Sequence, residues 1–445
     1  MTEDFTIGRN NPLENVSSGE LNLLLSAVAS AFDTAWLAQP SGANRLQTLW
    51  SRQDALATNQ LAILGDALTR LAPLNRGWLA RRIKEIKSET PENRKGDLFE
   101  LLGLGLFALD GQDVTGAAQA NPGFDGTIDF GGRASGIISL KDFGVSSHRK
   151  TFEAQATRVE QIIVAALQEL RKTGLGIRIA ASRFPLQTDW DKLRRALTTV
   201  ISDWRTDWRP RTVGSVWSLT PQPVPAGVAR LAERYPSYAL IVLAPHHSNE
   251  QLNIESKIET ACANLSKHAG AHAADTARLL LIRVPETAAP TRCLACAEQW
   301  LQARPEARVD SVIVYQPAVA AASITAPSAI VHFIGIAAAP GFNRWRQAAG
   351  RPGLAIQARV LVGRCTNEPT KLLGTDGSPL GEQYIYQRGQ IYTLSEVKAD
   401  GTIVGNMTNP APGIMVNSIL RIPGQPGECV FSGKFPPDSN LLIYS

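Results

Sequence analysis

The chain has 445 residues, 44% of them hydrophobic and 19% charged, an ordinary balance for a globular protein of two or three domains. A net charge of +5 permits nucleic acid as a partner without demanding it, and five cysteines in so long a chain exclude a disulfide framework and fit a reducing compartment. No run approaches the roughly 20 apolar residues of a membrane span, because the Ala-rich stretch 314–339 is broken by Pro317, Pro327 and His332.

The first thirty residues carry Glu3, Asp4 and Glu14 and lack a basic flank leading into an apolar run, so no secretory signal is expected and the expected location is cytoplasmic. From Ser17 to about Lys87 apolar residues recur at helical spacing. Leu21, Leu24, Leu25, Val28, Phe32 and Trp36 mark one segment and Leu56, Leu61, Leu64, Leu68 and Leu71 another, with breaks expected at Pro40 to Gly42 and at Pro73. Thr90 and Pro91 close this all-helical N-terminal domain, 1–95.

After Gly96 a helix runs to Leu109, and the period then changes. Strands are expected at 126–130, 137–141, 176–181, 238–244, 278–284, 310–315 and 329–336, and helices at 151–173, 189–204, 250–268 and 291–303. This alternation predicts an α/β core over 96–340, a sheet with helices packed on its faces. A basic linker, 341–351, leads to a small all-β C-terminal domain, 352–445, whose short strands lie between Gly and Pro turns and which is expected to bind a protein partner or position substrate; the sequence leaves an oligomer open. Cys293 and Cys296 form a CxxC with no second pair, which reads as a helix face rather than a zinc site.

Three segments at the start of the α/β core carry chemistry. Glu100 lies in the apolar helix Gly96 to Leu101, Asp125 and Asp129 lie in Phe124 to Asp129, and Ser139 and Lys141 lie in Ile138 to Lys141. A carboxylate embedded among Leu98, Phe99, Leu101 and Leu102 needs a cation or a partner, because burying an isolated charge costs several kcal/mol. Phosphodiester hydrolysis needs an activated water and neutralised phosphate charge, which one or two hard cations supply. Mg²⁺ is held by one or two carboxylates, with water and substrate phosphate completing its shell. Residues two or four apart in a strand share a face, so Asp125 with Asp129, and Ser139 with Lys141, are expected to project together, the lysine orienting water or offsetting phosphate charge.

These three segments, in this order, resemble the PD-(D/E)xK nuclease superfamily, whose pattern is a helix acid, a motif aspartate often followed by Gly, and an acid-x-Lys on the next strand. The resemblance implies a restriction-endonuclease-like mixed sheet flanked by helices, and DNA cleavage dependent on Mg²⁺ or Mn²⁺. Glu100, Asp125 and Asp129 are then the metal candidates, and Lys141, Glu100, Asp125 and Ser139 the catalytic ones. Ser139 departs from the pattern by standing where the family has an acid or Gln. In the resembled fold the helix after the lysine strand abuts the site, which adds Gln155 as a catalytic candidate and Lys150 and Arg158 as phosphate contacts.

Two further segments suit a nucleic-acid backbone. Trp208 is followed by Arg209 and Arg211 beyond the helix that Trp190 and Trp204 are expected to anchor in the core. Between Ser311 and Asn367 there is no acid, while Arg344, Arg346 and Arg351 flank Trp345. The alternatives to a nuclease are a protein of the same fold that binds nucleic acid without cleaving it, and an α/β interaction subunit.

Overall fold

The capping box that opens the first helix is explicit: Ser17 N–H and Oγ both reach Glu20 Oε2 at 2.8 Å, and Glu20 N–H donates to Ser17 Oγ at 3.2 Å. The structure is a computed structural model. It describes 3–365, except for 8, 10–12, 14–15, 40–43, 53, 89–96, 111, 118–122, 131–133, 145, 171–174, 205, 224–237, 269–275, 286–287, 322–327, 340–341, 343–359 and 362, and beyond these the strands between 383 and 443.

The N-terminal helices are α1 (Ser18–Phe32), α2 (Thr34–Leu37), α3 (Arg45–Ser51) and α4 (Ala55–Ile86). Pro73 does not end α4 as the sequence suggests. Proline removes one N–H and clashes with the preceding turn, and here the helix absorbs this as a kink, with Asn75 at φ −127° and ψ 22°. Asn75, 4% exposed, stabilises the kink: its Nδ2 donates to Leu71 O at 2.9 Å and to Val114 O at 2.7 Å, and its Oδ1 accepts from Gly116 N–H at 2.7 Å. The sequence break at Pro40 to Gly42 lies outside the described residues.

The elements that follow are α5 (Asp97–Phe107), β1 (Asp113–Gly116), β2 (Gly126–Asp129), β3 (Ser135–Asp142), α6 (Ser147–Glu169), β4 (Leu175–Ala181), α7 (Gln187–Asp203), β5 (Arg211–Val213), β6 (Trp217–Pro223) and β7 (Tyr238–Pro245). Then come α8 (Asn249–His268), β8 (Thr276–Arg283), α9 (Pro290–Ala303), β9 (Ser311–Ala321), β10 (Ser328–Ala338) and β11 (Gly363–Cys365). β12 (Gln383–Gly389), β13 (Tyr392–Val397), β14 (Ile403–Thr408), β15 (Met415–Arg421) and β16 (Glu428–Ser432) lie further on. The chain divides into two compact units: Met1–Gly144 with Gln251–Ala318 and Ala329–Cys365, and Val145–Glu250 with Val319–Ser328 and Thr366–Ser445.

In the first unit the strands run in the order β1-β2-β3-β8-β9-β10-β11, with β1, β2 and β3 an antiparallel meander and β3, β8 and β9 parallel. Parallel strands covered on both faces read as unbroken apolar runs, and β8 is such a run. Leu279 and Leu281, with Ile138, Leu140 and Ile313, pack with α1, α4 and α5 in one core. Leu280 and Ile282, with Ile137, Val312 and Val314, pack with Ile258 of α8 and Ala297 and Trp300 of α9 in another. Cys293 and Cys296 lie on α9, and burial pushes their thiols up to about 12 and about 11 respectively, so the CxxC is a helix face. α1 and α4 meet at Gly65, where a Cβ would lie 2.1 Å from Leu24 O.

The second unit holds a sheet in the order β12-β7-β4-β6-β5, with β4 and β7 parallel and the other pairs antiparallel. Trp190, Trp204 and Trp217 are buried in its core with Phe152, Val159 and Ile163 of α6, and the ring centroids of Trp190 and Trp217 are 4.7 Å apart. β13 to β16 form a separate antiparallel meander. β12, which the sequence groups with that all-β stretch, instead pairs antiparallel with β7, from Gln383↔Pro245 to Gly389↔Ala239. The structure is thus mixed α/β, with two mixed sheets flanked by helices, and no helix among the described residues is long and apolar enough to cross a membrane.

Candidate functional site

β2 begins at Gly126, opposite Ile138, so the ladder stops just where the N–H of Leu140 still points toward it. Asp125, the residue before β2, fills that gap with its side chain. Its Oδ2 accepts from Leu140 N–H at 2.6 Å and from Ser139 Oγ at 3.3 Å, and lies 3.9 Å from Lys141 Nζ. Backbone bonds fix the residue from both sides: Asp125 N–H donates to Ile138 O at 2.8 Å, and Ala117 N–H donates to Asp125 O at 2.9 Å. Ser139 is buried at 3% exposure, whereas the side chains of Asp125 and Lys141 keep 20% and 40% of their surface in solvent. The result is a small group of carboxylate, hydroxyl and ammonium, held by the backbone and open to water.

Glu100 occupies a different setting. α5 packs on the face of the sheet that carries Gly126 and Leu140: a Cβ on Gly126 would meet Leu104 Cδ2 at 2.7 Å, and one on Gly103 would meet Leu140 Cδ2 at 2.9 Å. Ser139 and Lys141 alternate to the opposite face. Glu100, with 14% of its side chain exposed, lies 2.7 Å from Arg82 Nη2 of α4 in an ion pair. The same guanidinium pairs with Glu85 at 2.7 Å and lies 5.7 Å from the Trp78 ring centre. In the sequence Arg82 stands in a run of basic residues with Arg76, Arg81, Lys84 and Lys87, and Trp78, Arg82 and Glu85, spaced four and three apart on a helix, are the available sign of one shared face.

Asp129 is exposed at the far end of β2, opposite Ser135. Four residues of extended chain put its Cα about 13 Å from that of Asp125, too far for both carboxylates to reach one cation. Alternation along an extended segment gives the two residues a common face, but a shared ion does not follow from it. Among the described residues no three His, Cys, Asp or Glu side chains group closely enough to hold a metal ion. The donor set at Asp125 does fit a hard ion at the low end of protein ligation, because its bonds to Leu140 and Ser139 and its approach to Lys141 all run through Oδ2.

The remaining candidates belong to the second unit or lie outside the described residues. Gln155 is 7% exposed, its Nε2 donating to Gln187 Oε1 at 2.9 Å and its Oε1 accepting from Arg194. Lys150 and Arg158 are exposed on α6. Arg209, 84% exposed in its side chain, lies 3.5 Å from Asp207, and Arg211 pairs with the same acid at 2.9 Å beside the half-exposed Trp208. Arg344, Arg346 and Arg351 lie outside the described residues.

The second unit also contains a group the sequence does not assemble. The His148 and His247 rings stack with centroids 3.9 Å apart, with Phe184 edge-on to both. Tyr384 O–H donates to the buried Glu250 at 2.6 Å. Burial, and then the charge of His148, lower the pKa of His247, while burial and the bond to Glu250 raise that of Tyr384. Comparison with family models, curated proteins and solved structures finds no match to this chain.

Proposed function

We propose that the chain is a metal-dependent phosphodiesterase acting on DNA, a nuclease of the restriction-endonuclease-like kind centred on Asp125 and Lys141. The observation that carries the reading is the approach of Lys141 Nζ to within 3.9 Å of Asp125 Oδ2 across neighbouring strands, beside a carboxylate whose second oxygen is outside that contact. Asp125 Oδ1 would hold Mg²⁺ or Mn²⁺, which supplies charge neutralisation at the phosphate and an acidified water. Lys141 orients that water or offsets phosphate charge from the same strand face, and it is exposed enough to reach substrate. Leu140 N–H and Ser139 hold the carboxylate in one orientation, the role that positioning hydrogen bonds serve around a reacting centre.

A second reading is favoured by a specific observation: Glu100, the helix acid of the resembled pattern, is already neutralised by Arg82, and Ser139 replaces the third acid. A chain of that kind binds DNA and does not cleave it. Incubation of the protein with DNA in Mg²⁺, Mn²⁺ or EDTA separates the two, with cleavage in metal alone supporting the first.

A further inference from the structure

Beyond the kink at Asn75, α4 carries a basic face that the Asp125 group does not use. At 3.6 residues per turn, Arg76, Gly77, Ala80, Arg81, Lys84 and the C-cap Lys87 fall within about 140° of arc, with no acid among them. Arg82 and Glu85 lie off this arc and pair with each other. Arg76 and Lys84 are exposed, and among the described residues neither makes an ion pair or a side-chain hydrogen bond. Arg81 Nη2 donates to Ala117 O at 2.7 Å, and Lys87 Nζ donates to Phe32 O at 3.1 Å. A carbonyl orients a cation without cancelling its charge. The helix dipole favours cations in the last turn, which accounts for Lys84 and Lys87 but does not reach back to Arg76.

The face is shaped and placed for an extended anion. Its middle is low: Ala80 is exposed, and a Cβ on Gly77 would meet nothing within 4 Å. Arg76 and Lys84 are separated by about 12 Å along the helix axis, close to the width of about 12 Å of a DNA major groove, so they can meet phosphates on either side of one groove. α4 runs beside β1, the edge strand of its sheet, through the bonds of Asn75 to Val114 and Gly116. Ala117, which accepts from Arg81, donates its N–H to Asp125 O at 2.9 Å, so the basic face flanks the sheet edge next to Asp125. A helix that lies on a membrane exposes an apolar face beside its basic one, whereas Trp78, Leu79 and Ile86 are buried in the protein's own core.

On the reading of the chain as a protein that acts on DNA, on which this rests, we infer that this face of α4 docks the phosphate backbone of duplex DNA beside Asp125. Arg76 and Lys84 each meet a phosphate, and Gly77 and Ala80 let the backbone come close.

Fluorescence anisotropy of a labelled DNA duplex with the full chain in EDTA, over a series of salt concentrations, tests it. Arg76→Ala with Lys84→Ala is expected to weaken binding about tenfold and to make the log–log salt slope shallower by about 2, with the melting temperature unchanged. Arg76→Gln with Lys84→Gln serves the same purpose if the alanine variant does not fold. Lys267→Ala with Arg304→Ala removes equal charge from the exposed ends of α8 and α9 and is expected to leave binding unchanged. Metal-dependent cleavage is read on the same proteins. Binding that depends on Arg76 and Lys84 without any cleavage supports the docking face and removes the enzymatic reading. The docking face is overturned by a wild type that does not bind the duplex, by cleavage with binding unaffected by the Arg76 and Lys84 substitutions, or by equal loss in the Lys267 and Arg304 control. Loss of binding to phosphatidylserine vesicles with DNA affinity intact would also overturn it.

Discussion

Arg82 Nη2 lies 2.7 Å from Glu100 Oε2, joining the long kinked helix α4 to the apolar helix α5 by a pair whose side chains keep only 17% and 14% of their surface in solvent. A carboxylate between Phe99 and Leu101 is tolerated because the neighbouring helix brings a guanidinium to it. Removing one partner of such a pair leaves the other desolvated and uncompensated, whereas removing both can be nearly neutral. Arg82→Met is therefore expected to destabilise the protein by about 3 kcal/mol in urea unfolding, and Arg82→Met with Glu100→Met to recover most of that loss.

Asp125 has two separable jobs in this account, and substitutions divide them. Asp125→Ala leaves Leu140 N–H without its acceptor at the start of the hairpin and is expected to cost about 1–3 kcal/mol. Asp125→Asn keeps an oxygen acceptor and loses the charge, so it is expected to retain most of the stability and to abolish metal-dependent cleavage. Thermal unfolding beside a cleavage assay reads both effects.

The kink at Pro73 depends on Asn75, whose amide makes three hydrogen bonds to Leu71, Val114 and Gly116. Asn75→Leu fills the volume but leaves those backbone groups unpaired in a buried place. A loss of about 3 kcal/mol is expected by denaturant unfolding.

His332 gives the stability a pH dependence with a defined sign. Burial lowers its pKa from 6.5 to about 4, against a smaller opposing contribution from the bond to Leu361 O. The unfolded chain therefore binds a proton that the folded chain refuses between these values, so the stabilisation is full above about pH 6.5 and declines as pH falls toward 4. The contribution at stake is of the order of 3 kcal/mol. In His332→Gln the decline in melting temperature over that window is expected to flatten.

Local pattern carried much of this fold into the sequence. Leu279 to Ile282 announces a strand covered on both faces, and Trp190, Leu193 and Leu197 announce the buried face of α7. Asp125 and Lys141 were legible as neighbours because a short hairpin leaves few registers. What was not legible is tertiary choice. Nothing near Gln383 says that β12 adds to β7 rather than to the β13–β16 meander, since a strand edge carries no address. β1, β5 and β6 escaped because Asp113–Gly116 and Arg211–Val213 are too short to show alternation and Trp217–Pro223 contains two prolines. Pro73 read as a helix end because the compensating amide of Asn75 acts only once β1 is beside it. Glu100 read as an acid awaiting a cation, and its partner on α4 emerged only from helix packing.

The most direct measurement is cleavage of supercoiled and linear DNA by the pure protein in Mg²⁺, Mn²⁺ or EDTA, with Lys141→Ala alongside. Breakage of DNA by the wild type in either metal, absent in EDTA and absent with Lys141→Ala, is the predicted result. DNA left intact by the wild type in both metals, or cut equally by the Lys141→Ala protein, would contradict the account.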